Sequence, residues 1–133
     1  MNKIPETALS NIDIINYVKL LGIKNFRGCY MRDELVGLKP REFECGVLNL
    51  NLSTERGSHW VCWFKTINKK YYFNSFGLPP PKELIEYLRS PILYSTFQLQ
   101  GINDKNCGKW CLRILKKLSD GEEFCDCILS FIK

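Results

Sequence analysis

The sequence contains one histidine, and its position suits catalysis. His59 follows a glycine-containing turn and precedes the apolar run that starts at Trp60. A catalytic imidazole needs a rigid backbone behind it and access in front of it, and the first residue of a buried strand supplies both. His59 is therefore a candidate general base. A half-buried histidine with a purely structural role at a strand end is the alternative.

A candidate nucleophile, Cys107, lies where a polar loop gives way to an amphipathic helical pattern. The amide groups and the positive dipole end of a helix N-terminus lower the pKa of a cysteine thiol, and a nearby imidazolium lowers it further. Gly108 adds no side chain that would obstruct the approach to the sulfur. Cys107 and His59 together predict nucleophilic attack on a carbonyl group. An inert cysteine at a helix start is the alternative.

A glutamine precedes the candidate nucleophile by seven residues. The side-chain amide of Gln100 follows an apolar run, where it can donate a hydrogen bond to the oxyanion that forms as sulfur attacks a carbonyl. The backbone N–H of Cys107 is the second predicted donor. Gln98 competes for this role, and a Gln100 that only satisfies its own loop backbone is the alternative.

Asn74 completes the candidate catalytic set. It follows three aromatic residues on a strand next to the one that begins at His59, so its carboxamide can orient the imidazole through the second ring nitrogen. A tight turn centred near position 68.5 leaves the two residues four positions out of register, which is about 13 Å at about 3.3 Å per residue. The sequence therefore predicts a wider turn, a bulge or a strong twist between these strands.

Hydrophobic spacing and turn residues predict the elements that position these side chains. A cap at Ser10 or Asn11 begins a first helix, which Gly22 ends. Pro81 suits the start of a short helix after the hairpin. The predicted order is helix 11–21, an irregular wrapping loop 23–43, strands 44–52, 59–66 and 70–74, helix 82–88, a strand within 92–99, a polar turn 101–106, a nucleophile helix from Cys107 to Gly121, and a last helix 122–132 that packs Phe124, Ile128 and Phe131 on the core.

The composition indicates one ordinary globular domain over residues 1–133. Of its 133 residues, 45% are hydrophobic and 25% are charged, which supports a hydrophobic core and argues against disorder as the main state. The formal net charge of +5 permits an acidic or polyanionic partner without requiring one. Seven cysteines leave at least one unpaired, and no signal segment or membrane span is recognised. We therefore expect an intracellular protein that is not secreted and has no membrane partner.

The remaining cysteines do not form a metal motif. Cys125 and Cys127 are too close for the usual Cys-x-x-Cys knuckle, and only His59 is available to add an imidazole ligand. Cys111 lies on the same helix face as Cys107 and is predicted to be a core residue. No metal site and no cofactor is predicted.

Four linked motifs resemble the adenovirus maturation protease family, the adenain-like cysteine proteases, which is related to the ubiquitin-like-protein proteases. That family carries a His-Trp pair, a Phe-acid-x-Phe-Gly segment, and a Gln-Gly pair followed by Cys-Gly at the separation seen here. The likeness extends over about residues 17 to 118. The matching motifs are His59-Trp60, Phe73-Asn74-Ser75-Phe76-Gly77, Gln100-Gly101 and Cys107-Gly108.

The resemblance implies an α+β, papain-like or adenain-like fold, in which a central, mostly antiparallel sheet packs against the nucleophile helix. It implies peptide hydrolysis through a thioester, on protein or peptide substrates with glycine near the scissile bond. Maturation of precursor proteins of an adenovirus-like virus or mobile element, in the host cell or the virion, is the implied setting. The catalytic residues are then His59, Asn74, Gln100 and Cys107, and the substrate-binding residues are Asp33, Trp60 and Gly108.

The chain departs from the family pattern at two points that bear on function. Asn74 stands where the adenovirus enzyme has a carboxylate. No cysteine lies between Leu78 and Asn106, where that enzyme binds an activating peptide through a disulfide, so a disulfide-linked cofactor is not carried over. A DNA or other peptide activator stays open. Two further functions also stay open: a ubiquitin-like-protein isopeptidase, and a catalytically silent binding module of the same fold.

Overall fold

The structure is a computed structural model that describes residues 8–52, 54, 59–89, 91–99 and 106–132. The chain contains both helices and strands, and its central strands pair in antiparallel fashion, as in an α+β fold. The elements are α1 (Asn11–Leu21), β1 (Phe26–Met31), a 3₁₀ helix (Arg32–Leu35), β2 (Glu44–Asn49), β3 (Trp60–Lys65), β4 (Lys70–Phe73), α2 (Lys82–Leu88), β5 (Leu93–Tyr94), α3 (Cys107–Ser119) and α4 (Phe124–Phe131).

Within the described residues, five strands form one sheet in the order β1-β2-β3-β4-β5. The three central strands pair in antiparallel fashion, as predicted, whereas β1 pairs with β2 and β5 pairs with β4 in parallel. Met31, Asn49 and Trp60 lie side by side on three neighbouring strands. The start of β3, next to His59, is therefore at the same end of the sheet as the ends of β1 and β2.

Strand β1 corrects the prediction of an irregular loop over residues 23–43. All six of its residues are partly buried, and its sequence shows no regular alternation of apolar and polar side chains. The pairing register also shifts between Phe26 and Cys29. Gly28 has a φ of +146°, a backbone conformation that favours glycine. A bulged edge strand of this kind lacks the period of two by which strands are recognised.

The strand predicted within residues 92–99 is only two residues long. After Tyr94 the chain leaves the sheet and runs beside the turn that follows β4, where the N–H of Leu99 donates to the carbonyl of Ser75 at 2.8 Å. A Cβ atom on Gly77 would lie 2.6 Å from the carbonyl oxygen of Thr96, so this close approach requires glycine. Residues 95–99 therefore line the turn that begins at Asn74.

The sheet has an apolar core on each face. One face packs against α1, α3 and α4, and the other packs against α2 and the 3₁₀ helix. Successive residues of β3 alternate between them, with Cys62 on the α3 side and Val61 and Trp63 on the α2 side. This packing holds both faces of the strand that follows His59.

The helix boundaries follow the predicted signals closely. The Ser10 hydroxyl accepts a hydrogen bond from the N–H of Asp13, whose carboxylate accepts one from the N–H of Ser10, so Ser10 is the N-cap of α1. Gly22 ends α1 in the left-handed conformation. Helix α3 begins at Cys107, as predicted, and α4 buries Phe124 and Ile128 in the core. Helix α3 starts there without a side-chain capping hydrogen bond from Asn106.

A buried carboxylate at the far end of the sheet joins several elements. Glu44 is only 1% exposed, and its carboxylate forms an ion pair with Arg27 of β1 at 3.3 Å. It also accepts hydrogen bonds from the Trp63 indole at 2.9 Å and from the Tyr87 hydroxyl of α2. Glu44 pairs with Lys65, at the opposite end of β3 from His59. This cluster therefore links β1, β2, β3 and α2 at the end of the sheet away from the candidate site.

Replacing Glu44 with alanine should lower the free energy of unfolding by about 3 to 5 kcal/mol, because it leaves a partly buried guanidinium without its partner. Urea denaturation measures this change. Glu42→Ala is the matched control, since Glu42 is exposed, and its effect should stay within about 0.5 kcal/mol. Equal stability of the two variants would contradict the assigned role of Glu44.

Candidate active site

His59 and Asn74 meet at the end of the central hairpin. His59 directly precedes β3 and Asn74 directly follows β4. The Nε2 atom of His59 lies 2.9 Å from the Oδ1 atom of Asn74, which also accepts a hydrogen bond from the N–H of Phe76 at 2.9 Å. An amide oxygen only accepts, so Nε2 carries the proton in the neutral ring. The lone pair of Nδ1 is then the basic site of the imidazole.

The hairpin turn lies one residue earlier than predicted. Pairing runs without interruption from Lys65 opposite Lys70 to the end of β4, so the turn is centred at 67.5. In this register position 59 faces position 76, and Asn74 is two residues out of register with His59 instead of four. The paired residues contain neither the wider turn nor the bulge that we predicted. The chain turns tightly at Asn74, where the N–H of Gly77 donates to the Asn74 carbonyl, and this turn accounts for the remaining offset of two residues between His59 and Asn74.

Phe76 is a site residue that the sequence analysis does not identify. Its ring stacks on the imidazole of His59, with 4.5 Å between the ring centroids and an interplanar angle of 20°. The stacked ring restricts rotation of the imidazole out of the plane that Asn74 sets. The register of the hairpin could have identified Phe76, because the correct turn position places it opposite His59.

Cys107 is the first residue of α3 and is 6% exposed. Its sulfur accepts a hydrogen bond from the backbone N–H of Trp60 at 3.3 Å. Because Trp60 is the residue after His59, this bond joins the nucleophile helix to the start of the histidine-bearing strand. The structure thus brings His59, Asn74 and Cys107 to one end of the sheet. Cys111, one turn further along α3, is buried in the core, as predicted.

Burial dominates the proton affinities of this candidate pair. It raises the pKa of the Cys107 thiol, and hydrogen bonds from the N–H groups of Trp60, Gly108 and Cys107 itself offset only part of that effect. Burial also lowers the pKa of His59, although the hydrogen bond to Asn74 acts in the opposite direction. Both directions favour a neutral thiol and a neutral imidazole in the resting site. The predicted lowering of the thiol pKa by the helix N-terminus is therefore outweighed.

The rate of alkylation of Cys107 by iodoacetamide should rise continuously between about pH 5 and pH 9, because only the thiolate reacts and its fraction grows with pH below the raised pKa. Mass spectrometry of the modified site measures the rate, with the exposed Cys125 as internal reference. A rate that is already at its plateau near pH 5 would indicate a preformed thiolate–imidazolium pair and would contradict the neutral resting site.

Two predicted substrate-binding residues contact the segment before α1. The indole Nε1–H of Trp60 donates to the carbonyl oxygen of Leu9 at 2.8 Å. A Cβ atom on Gly108 would lie 3.2 Å from the Cβ and Cδ1 atoms of Leu9. The space beside the α-carbon of Gly108, which we expected to be open for substrate, is therefore occupied by Leu9. No sequence pattern links Leu9 to the site, so the sequence analysis misses it.

Of the other predicted site residues, the structure describes Asp33 and the competing Gln98 but not Gln100. Asp33 is exposed in the 3₁₀ helix that follows β1, at the same end of the sheet as Trp60. Gln100 and residues 101–105 of the predicted turn lie outside the described residues. The preceding Leu99 donates its N–H to the carbonyl of Ser75, beside the turn that begins at Asn74. Gln98, the competing oxyanion donor, is exposed.

In the described part of the chain, the cysteines and acidic residues form neither a disulfide nor a metal site. All seven cysteines are free thiols. In the part of the chain that the structure describes, no group of three or more His, Cys, Asp or Glu residues could hold a metal ion. None of the helices described is sufficiently long and apolar to cross a lipid bilayer.

Comparison with known proteins identifies the fold. No protein-family model and no curated protein sequence matches the chain. The crystal structure of the ASFV pS273R protease matches with a TM-score of 0.72 and 18% identity, over 97% of this chain and 64% of that one. The SUMO protease Ulp1, with its catalytic cysteine oxidised to a sulfinic acid, matches with a TM-score of 0.56 and 14% identity, over 96% of this chain and 75% of that one. The chain has the SUMO-protease-like cysteine protease fold.

The SUMO-protease-like fold confirms the predicted α+β architecture. It also supports the sequence resemblance at the level of fold, as a likeness to one viral protease and one ubiquitin-like-protein protease. The chain spans 64% of the length of the ASFV protease chain. In this fold, α3 with Cys107 at its start packs directly against β3.

Proposed function

We propose that this protein is a cysteine endopeptidase that hydrolyses peptide bonds near glycine. The observation that carries the proposal is the hydrogen bond between the Trp60 N–H and the Cys107 sulfur, directly after His59 in the chain. This bond joins the strand that follows the imidazole to the N-terminus of α3. The likeness of fold to two cysteine proteases supports the same chemistry.

The proposed reaction begins when the Cys107 thiol transfers its proton to Nδ1 of His59. The sulfur attacks the carbonyl carbon of the scissile peptide, and the C=O electron pair moves to oxygen. That oxyanion accepts hydrogen bonds from the Cys107 N–H and the Gln100 side chain. The imidazolium then gives its proton to the leaving amine as the C–N bond breaks, which leaves a thioester on Cys107.

Water completes the cycle by hydrolysing the thioester. His59 takes a proton from water, the resulting hydroxide attacks the thioester carbon, and the C–S bond breaks to release the acid. The proton on His59 returns to the Cys107 sulfur. Asn74 and Phe76 hold the ring through both steps. The neutral amide of Asn74 stabilises the imidazolium less than a carboxylate would, so proton transfer and attack are expected to be closely coupled.

We propose precursor proteins of an adenovirus-like virus or mobile element as the substrates. The four sequence motifs and the likeness to the ASFV protease support this choice. Asp33, Trp60 and Gly108 are the proposed substrate contacts, and at Gly108 the proposed contact is with the backbone, because Leu9 occupies the space beside its α-carbon. The proposed setting is the host cell or the virion, with a DNA or peptide activator as a candidate partner.

A second candidate function is supported by the likeness to the SUMO protease Ulp1. An isopeptidase that acts on ubiquitin-like tails would use the same attack on a carbonyl after glycine. The two functions differ in the substrate that the outer surface must hold, a flexible peptide or a folded modifier.

Cleavage assays separate these functions. Glycine-containing peptides, the same peptides with alanine in place of glycine, and ubiquitin-like conjugates are each incubated with wild type and Cys107→Ala and analysed by mass spectrometry. The endopeptidase proposal expects Cys107-dependent cleavage of the glycine peptides alone. Cleavage restricted to conjugates would favour the isopeptidase. No cleavage, with Cys107 no more reactive than a free thiol, would favour the silent binding module.

A further inference from the structure

Leu9, in the segment before α1, contacts Trp60 and Gly108, which both adjoin the candidate nucleophile, although it is distant from Cys107 in the sequence. Leu9 is 7% exposed and belongs to the core cluster on the α3 face of the sheet. It immediately precedes Ser10, whose capping interactions fix the start of α1. Its backbone is therefore held in place from one side.

Leu9 contacts two elements that meet at the sulfur. Its carbonyl oxygen accepts the hydrogen bond from the Trp60 indole at 2.8 Å. Its side chain packs against Gly108, where a Cβ atom would be only 3.2 Å away. Trp60 in turn donates its backbone N–H to the Cys107 sulfur at 3.3 Å. Leu9, Trp60, Cys107 and Gly108 thus form a closed chain of contacts that includes the sulfur.

We infer that Leu9 is a positioning residue for the reaction proposed above. Through its carbonyl it sets the orientation of the Trp60 indole, and through its side chain it sets the distance between β3 and the first turn of α3. Both actions determine where the Cys107 sulfur lies relative to the strand that follows His59. The inference rests on the proposed function, but the contacts themselves can be tested without it.

The chain offers a matched control for a purely structural role. Leu21 is also 7% exposed, belongs to the same core cluster and lies in α1, at the end away from Leu9. Leu9→Ala and Leu21→Ala remove the same atoms from the same core. If Leu9 only stabilises the fold, the two variants should lose thermal stability and keep the same chemistry.

The first test compares the alkylation rate of Cys107 and the kcat for a glycine peptide in these two variants. Leu9→Ala should lower both rates about tenfold or more, because displacement of a reacting group by about 1 Å costs up to about 100-fold. Leu21→Ala should leave both rates unchanged. Leu9→Met conserves the side-chain volume, so this variant should keep both rates near their wild-type values.

The second test follows the Trp60 indole by ¹⁵N NMR, with its signal assigned from Trp60→Phe. In wild type this indole N–H should exchange slowly with solvent, and in Leu9→Ala its shift and exchange rate should change, while Leu21→Ala leaves both unchanged. If Leu9→Ala does not fold, Trp60→Phe, which keeps a ring and removes the donor to Leu9, should lower the alkylation rate of Cys107.

Failure of the inference about Leu9 and failure of the proposed function give different experimental results. A Leu9→Ala protein with wild-type alkylation of Cys107 and an unchanged indole signal overturns the positioning role, whatever the wild type cleaves. A wild type that cleaves no peptide or conjugate counts against the proposed function, while the alkylation and NMR results still decide the role of Leu9.

Discussion

Replacing Cys107 with alanine should reduce peptide hydrolysis to the uncatalysed background, and replacing His59 with alanine should lower kcat by about 100-fold to 10,000-fold. The first change removes the atom that forms the thioester, and the second removes the base that takes its proton. The two groups act as one unit, so the double variant should be no slower than Cys107→Ala alone. Steady-state kinetics on a fluorogenic glycine peptide measure these effects.

Cys111→Ala is the matched control for this prediction. Cys111 lies one turn further along α3 and is buried in the core, so its loss should affect thermal stability and leave hydrolysis near the wild-type rate. Circular dichroism establishes that each variant is folded. Hydrolysis that persists in folded Cys107→Ala would assign the chemistry to another group and contradict the proposed mechanism.

Gln100→Ala should lower kcat by about 100-fold to 1,000-fold, which is the usual cost of removing one oxyanion donor. The alkylation rate of Cys107 should not change, because Gln100 acts on the oxyanion and has no role in ionising the thiol. Comparison of turnover with the alkylation rate in the same preparation therefore isolates its role.

Gln98→Ala provides the control for Gln100, since the two side chains are the same and lie two residues apart. The exposed Gln98 should tolerate the change with full turnover. If Gln98→Ala is the slow variant, the oxyanion donor has been assigned to the wrong glutamine. Equal loss of turnover and alkylation in Gln100→Ala would indicate a role in folding or in the thiol itself.

Local sequence signals predicted the elements that carry the site. Ser10 and Gly22 mark the ends of α1, because capping and glycine termination depend on a few neighbouring residues. The start of α3 at Cys107 was predicted from the helical spacing of Leu112, Leu115 and Leu118 after a polar turn. The hairpin was also predictable, since its strands are strongly apolar on at least one face. The hairpin and the sequence motifs predicted that His59 and Asn74 belong to one site, but the predicted turn was one residue too late and left them four positions out of register instead of two.

Features that depend on tertiary contacts were not predictable in the same way. Bulging of β1 at Gly28 removed the alternation by which a strand is recognised. The approach of Leu9 to Gly108 joins residues that lie 99 positions apart in the sequence. The pKa of Cys107 depends on how deeply α3 is buried against the sheet, whereas the sequence shows only that the residue begins a helix.

Active-site labelling with a glycine-ending electrophilic peptide, read out by mass spectrometry, tests whether His59 and Cys107 act as a catalytic pair. The wild type should be labelled once, at Cys107, with no reaction in Cys107→Ser at the other six cysteines. In His59→Ala labelling at Cys107 should be slower by about 100-fold or more, because the base that accepts the thiol proton is absent. Labelling spread over several cysteines, or labelling of Cys107 at an equal rate in His59→Ala, would contradict the claim that this histidine and this cysteine form one catalytic pair.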